Sequence, residues 1–175
     1  MSRFDYNIAI WRNDEPEVKQ RMQSEEIYSV EQLEHLLESS DGCMTTLANA
    51  SAFLNVLLPN INWVGFYLLE KGELRLGPFQ GKPACTKIAL NKGVCGTAVI
   101  QNATQCVDDV HAFPGHIACD SASNSELVVV LRDEKGEPLG VLDIDSPLFA
   151  RFSEADARQM ERAAEIVSSK IRHTP

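Results

Sequence analysis

Hydrophobic positions change their period along this chain, and the changes mark out its elements. From about Glu26 to Ser39 the apolar residues Ile27, Val30, Leu33 and Leu37 recur at helical spacing,. From about Met44 to Leu58 the residues Met44, Leu47, Ser51, Leu54 and Leu58 do the same, with Gly42 as the break between two predicted helices and Pro59 after the second,. After Asn60 the run INWVGFYLLE is aromatic and β-branched, and it ends at Lys71-Gly72 with ELRLGPF beyond. That pattern predicts a hairpin. LNKGVCGTAV, with Gly93 and Gly96 around Cys95, predicts a loop entering a short helix whose N-terminal amides face a ligand,.

Further on, CVDDV reads as a short strand and HAFPGHIACDSASNSE as a long polar loop,. LVVVLRDEKGEPLGVLDID reads as a second hairpin, turning at Glu134-Lys135-Gly136. The last element is a helix: Ser153 can cap it with Asp156 three residues on, Phe152 can staple onto Ala157, and Ala157, Met160, Ala164, Val167 and Ile171 form its stripe,. Two helices, hairpin strands and a terminal helix predict an α+β domain, an antiparallel sheet with helices packed on one face. Residues 1–25 are polar, mix charge signs and contain Pro16, so they read as an N-terminal extension to a single domain over 26–172,.

Composition narrows the function classes. The 25 acidic residues outnumber the 16 Lys and Arg, and no basic cluster suits a nucleic-acid backbone,. There is no apolar run of membrane-spanning length and no signal-peptide pattern in MSRFDYNIAIWRNDEPE, so a cytoplasmic protein is expected,. Five cysteines, Cys43, Cys85, Cys95, Cys106 and Cys119, are an odd number in a chain of ordinary size. They are expected to rest as thiols, without a structural disulfide framework.

Strand alternation then selects candidate chemistry. Trp63 and Tyr67 share one strand face while Val64, Phe66 and Leu68 supply the other, so the first pair either packs a second core layer or lines a site,. In VLDID, Asp143 and Asp145 share a face with Val141, and Leu142 and Ile144 point oppositely. Glu126 adds a third carboxylate if its strand pairs with VLDID. Such a site would hold a cationic group, keep one carboxyl protonated by mutual repulsion, or both; a solvated hairpin face is the alternative. Cys119 lies in the long polar loop and Cys85 follows a Gly and a Pro in PFQGKPACTKI. A reactive thiolate with a second thiol in reach is what redox chemistry needs. His111, His116, Cys119, Cys95 and Cys85 could be read as a zinc set, but without a C-x-x-C and with cysteines spaced by 10 and 24 residues no metal is expected,.

The segments INWVGFYLL, LGPFQGKPAC, KGVCGTA, VDDVHAFPGHIACDSASNSE and GVLDIDSP together resemble the free methionine-R-sulfoxide reductases, enzymes built on a GAF domain. The likeness runs from about Leu47 to Ile166. It implies Cys119 as nucleophile, Cys85 as the resolving thiol, Cys95 as a nearby pocket cysteine, and Trp63, Tyr67, Glu126, Asp143 and Asp145 as substrate contacts. One of the three carboxyls would act as the acid. It also implies no bound cofactor, an external dithiol reductant of the thioredoxin type, free methionine sulfoxide as substrate, and compatibility with a homodimer. LVVVL and TKIAL depart from the family's more usual proline-containing segments, and Cys43 and Cys106 match no motif and are read as structural. A noncatalytic GAF small-ligand sensor and a thiol redox sensor are the rival uses of such a fold.

Overall fold

The computed structural model describes residues 29–38, 41–115 and 121–171. The sequence-based expectations for residues 1–25, for Ile27 and for His116 and Cys119 lie outside these. Among the described residues the order is α1 (Val30–Leu36), α2 (Gly42–Leu57), β1 (Trp63–Glu70), β2 (Glu73–Gly81), β3 (Lys87–Ala89), α3 (Gly93–Gln101), β4 (Gln105–Val107), β5 (Ser125–Arg132), β6 (Pro138–Ser146) and α4 (Glu154–Ile171), with a 3-10 turn at Val110–Ala112. One six-stranded sheet runs β3-β2-β1-β6-β5-β4. Every neighbouring pair in it is antiparallel.

Local chemistry accounts for the turns. Lys71 and Gly72 both have positive φ, 50° and 84°, the twist that a tight two-residue hairpin needs,. Gly136 closes the β5–β6 hairpin at φ 83°, and Asp133 Oδ1 accepts the Lys135 and Glu137 amides there,. The predicted capping of α4 is present: the Asp156 amide donates to Ser153 Oγ at 3.2 Å and the Ser153 amide to Asp156 Oδ2 at 2.8 Å,.

The sheet has an apolar layer on each face. On one, α1, α2 and α4 bury Val30, Leu33, Leu47, Leu54, Met160 and Val167 against Val64, Phe66, Leu127, Leu142 and Ile144. On the other, α3 places Val94, Cys95, Ala98 and Val99 with Trp63, Tyr67, Val128, Val130 and Val141. The α+β architecture and antiparallel sheet are as expected, with α3 set apart from its three companions on the opposite face. Its Gly96 fits because a Cβ there would lie 2.7 Å from Ala89 O, so only glycine lets the helix approach the β3–α3 connection so closely,.

Some expectations shift. Met44, read as part of the α2 stripe, is 69% exposed in the first turn of the helix. β4 begins at Gln105 and ends at Val107, while Val110 enters the 3-10 turn. β3 is a three-residue edge strand within TKIAL that periodicity did not reveal, being too short to show one,. Cys43 packs against the helical core as expected of a structural thiol. Cys106, by contrast, is exposed on the edge strand β4, its Sγ–H reaching Phe152 O at 3.4 Å.

Candidate functional site

The expected carboxylates converge because β1, β6 and β5 are adjacent and in the required register. Asp145 faces Trp63 on one side and Glu126 on the other, and Asp143 faces Gly65 and Val128. All these positions project to the α3 face of the sheet. From α3, Cys95 completes the group: its Sγ–H donates to Glu126 Oε1 across 3.8 Å. Donor atoms of Cys95, Glu126 and Asp143 all lie within 4.8 Å of one another. Glu126 and Asp143 are only 6% and 7% exposed, so neither is the solvated hairpin face weighed as the alternative.

Burial and mutual repulsion set the protonation of this cluster. Removal from water, then the charges of Asp143 and Asp145, hold the Glu126 carboxyl well above the usual carboxylate range,. Burial likewise lifts Asp143 to about 6, although contacts from Cys95 and Glu126 pull the other way. The Cys95 thiol is pushed well above its ordinary value, by burial first and by the carboxylates next. Cys95 is therefore a protonated hydrogen-bond donor at neutral pH and a poor nucleophile. Asp143 Oδ1 is buried with no hydrogen-bond partner.

Aromatic side chains form the wall beside the carboxylates. Trp63 and Tyr67 stack at 5.9 Å between ring centroids, and Phe79 stacks with Trp63 at 5.3 Å. The Trp63 indole N–H donates to Lys82 O at 3.1 Å, and the Tyr67 hydroxyl to Cys85 O at 3.0 Å. Trp63 and Tyr67 also pack the second core layer, the first of the two readings the sequence left open. Gly65 makes the arrangement possible, since a Cβ at that position would lie 2.6 Å from the Trp63 ring.

Cys85 is half-buried at the edge of the aromatic wall, with its carbonyl held by Tyr67. Cys119 lies outside the described residues, but both flanks of its segment are anchored beside the cluster. Gly115 O accepts from the amide of Gly93, the first residue of α3. Beyond the segment, the buried Ser123 accepts from Asn62 Nδ2 at 3.1 Å, just before Trp63. His111 contacts Asn124 Oδ1 through Nε2 at 3.1 Å, bracing the loop rather than joining Cys95. Phe79, Asn62 and Ser123 were not anticipated. Phe79 carried a usable signal, being an aromatic in the strand that pairs with β1.

The GAF domain family model matches residues 29–171. A free methionine-R-sulfoxide reductase of Escherichia coli is 53% identical over 127 residues, covering 73% of this chain and 76% of that protein. The protein of the same name from Saccharomyces cerevisiae is 42% identical, covering 78% of this chain and 83% of its own. This chain belongs to the free methionine-R-sulfoxide reductase family of GAF domains. Among solved structures, the Neisseria meningitidis free methionine-R-sulfoxide reductase in complex with its substrate is similar at TM-score 0.77 and 42% identity, covering 81% of this chain and 85% of that one. A family with reductases among its members suits a cluster of carboxyls and a thiol beside an aromatic wall. Among the described residues no helix is long and apolar enough to cross a membrane.

Proposed function

We propose that this protein reduces free L-methionine-R-sulfoxide to L-methionine, with Cys119 as nucleophile and no bound cofactor. The observation that carries the reading is the buried Cys95, Glu126 and Asp143 cluster beside Trp63 and Tyr67, in a chain whose relatives include named reductases of this substrate. Sulfoxide reduction needs a proton donor at the oxygen, and Glu126 is a carboxyl that burial and its neighbours keep protonated,. The substrate ammonium needs an anion, which Asp143 and Asp145 supply. The S-methyl end needs an apolar surface, which the Trp63 ring supplies.

The sequence of steps follows from atom balance. The Cys119 thiolate attacks the sulfoxide sulfur while Glu126 gives its proton to the departing oxygen. The oxygen ends on Cys119 as a sulfenic acid, and methionine leaves reduced by two electrons. Attack by the Cys85 thiol then forms the Cys85–Cys119 disulfide and releases water. A dithiol of the thioredoxin type reopens the disulfide by exchange and is itself oxidised. Cys95, with its raised pKa, is a hydrogen-bond donor to the carboxylates in this scheme and not a second nucleophile. A pocket that pairs the α-ammonium with buried carboxylates excludes a peptide-bound residue, whose amide carries no charge.

The test is turnover of free L-methionine-R-sulfoxide with dithiothreitol by wild type and Cys119→Ser, with the S epimer and a peptide-bound sulfoxide as controls. Activity confined to the free R epimer and abolished in the variant is the expected result. Folded, reduced wild type that turns over none of them would overturn the reading and favour a ligand-sensing GAF module.

A further inference from the structure

The Cys95, Glu126 and Asp143 cluster has a property that sulfoxide reduction does not use. We propose that Cys95 Sγ, Glu126 and Asp143 also form a binding site for a single divalent cation of the zinc class. The site is distinct from the His111, His116, Cys119, Cys95 and Cys85 set considered from spacing, because only Cys95 is common to both.

Geometry supports it first. Tetrahedral bonds of about 2.0–2.3 Å to oxygen and sulfur put neighbouring donors about 3.3–3.8 Å apart. Cys95 Sγ and Glu126 Oε1 are already 3.8 Å apart, and the three donors span no more than 4.8 Å. Closing that gap takes small side-chain rotations on elements held by the core, α3, β5 and β6. A second observation is independent of the distances: Asp143 is nine-tenths buried and its Oδ1 has no hydrogen-bond partner. A cation would satisfy that acceptor, and it would neutralise carboxylates that repel one another.

Donor chemistry chooses the ion. Magnesium and calcium prefer six or more oxygen donors, whereas one thiolate with two carboxylates is a set that zinc accepts. As the sulfur–metal bond forms, Cys95 releases its thiol proton to solvent, with no change of oxidation state. Three protein donors leave a fourth position for water. The bound ion would occupy the place assigned above to the substrate ammonium and the acid; that consequence rests on the proposed reaction, whereas metal binding itself does not.

The experiment uses the full reduced chain after chelator treatment. Zinc binding is measured by calorimetry, and cobalt substitution is followed through the thiolate-to-cobalt charge-transfer absorption in the near ultraviolet. The expected result is stoichiometric zinc binding, weakened at least about tenfold in Cys95→Ser and in Asp143→Asn. The cobalt band should disappear in Cys95→Ser and persist in Cys119→Ser and Cys85→Ser. Glu126→Gln and Asp143→Asn relieve a repulsion, so they are expected to fold even if Cys95→Ser does not. A band that survives in Cys95→Ser, a band lost in Cys119→Ser, undiminished affinity in both carboxamide variants, or absence of zinc binding by wild type would each overturn the proposal. None of these readouts uses turnover, so the outcome is separate from that of the sulfoxide assay.

Discussion

Glu126 and Asp145 stand directly opposite each other in the β5–β6 ladder, two carboxyl side chains paired where strands usually place opposite charges or apolar residues,. Asp143, two residues along on the same face, adds a third. The β-sheet fixes the separation of the two backbones, so side-chain rotation is the only movement that can relieve the repulsion,. A retained proton also relieves it, and Glu126 is the group whose surroundings favour retention most.

Stability should therefore fall as pH rises through the neutral range. Asp143 and Glu126 have folded-state pKa values above their unfolded values, so the native state binds more protons between those limits,. Their stabilising contribution is complete below the unfolded values and is lost as pH rises, through about 6 for Asp143 and well above the usual carboxylate range for Glu126. For Asp143 alone the linkage amounts to on the order of 3 kcal/mol. Thermal melting of the reduced protein at pH 5 and pH 8 checks this, with the higher Tm expected at pH 5. Glu126→Gln should flatten the dependence, and an unchanged slope in that variant would remove Glu126 as the coupled group.

Catalysis should separate the two carboxyls. Glu126→Gln removes the transferable proton and should lower kcat by about 100-fold or more, in line with the worth of a positioned general acid. Asp143→Asn retains a polar group but loses a charge facing the substrate ammonium, so its larger effect should be on KM. Steady-state kinetics with free methionine-R-sulfoxide distinguish the two roles. The reverse pattern would exchange the acid and the anchor.

Gly65→Ala tests the aromatic wall. The added methyl would lie 2.6 Å from the Trp63 ring and would also meet Cβ and the backbone Cα of Phe79, so the Trp63 ring and the β2 backbone must both shift. Overpacking of this kind costs about 1–3 kcal/mol. Urea unfolding should register that loss, and KM for the sulfoxide should rise because Trp63 can no longer lie flat against Phe79. Unaltered stability would mean that the wall yields without resistance.

What could be read in advance, and what could not, follows from the range of each physical signal. The β6 alternation separated Asp143 and Asp145 from Leu142 and Ile144 because strand side chains change face at every residue, and the observed layers agree,. The Lys71-Gly72 turn was legible for a similarly local reason. Register was harder. Counting back from that turn would set Pro78 opposite Gly65, but a bulge between Gly65 and Tyr67 advances the pairing so that Phe79 is the partner,. Gly77 and Pro78, residues that a strand interior accommodates at bulges, mark an irregularity there, but they do not say which pairing results,. The contribution of Cys95 was reached by family resemblance because its contact with Glu126 crosses 31 positions from helix to strand, beyond any periodicity. Met44 failed as a core residue for the opposite reason: it has the right spacing, but spacing does not say whether a first-turn side chain is covered, and this one is left exposed.

Tyr67→Phe separates the two chemical steps. The hydroxyl of Tyr67 donates to Cys85 O at 3.0 Å, fixing the backbone of the proposed resolving cysteine. Loss of that bond costs about 1 kcal/mol of ordering. It leaves the Cys119 attack on the sulfoxide chemically intact, so the effect should fall on formation of the disulfide. In a single turnover without reductant, wild type should lose two free thiols for each methionine formed. The variant should release methionine promptly while the second thiol disappears about five- to tenfold more slowly, as expected of a positioning loss of this size, with the sulfenic acid open to trapping by a dione reagent in the interval. If methionine release and thiol loss slow together, Tyr67 acts on the substrate through the ring wall and not on Cys85 through its carbonyl.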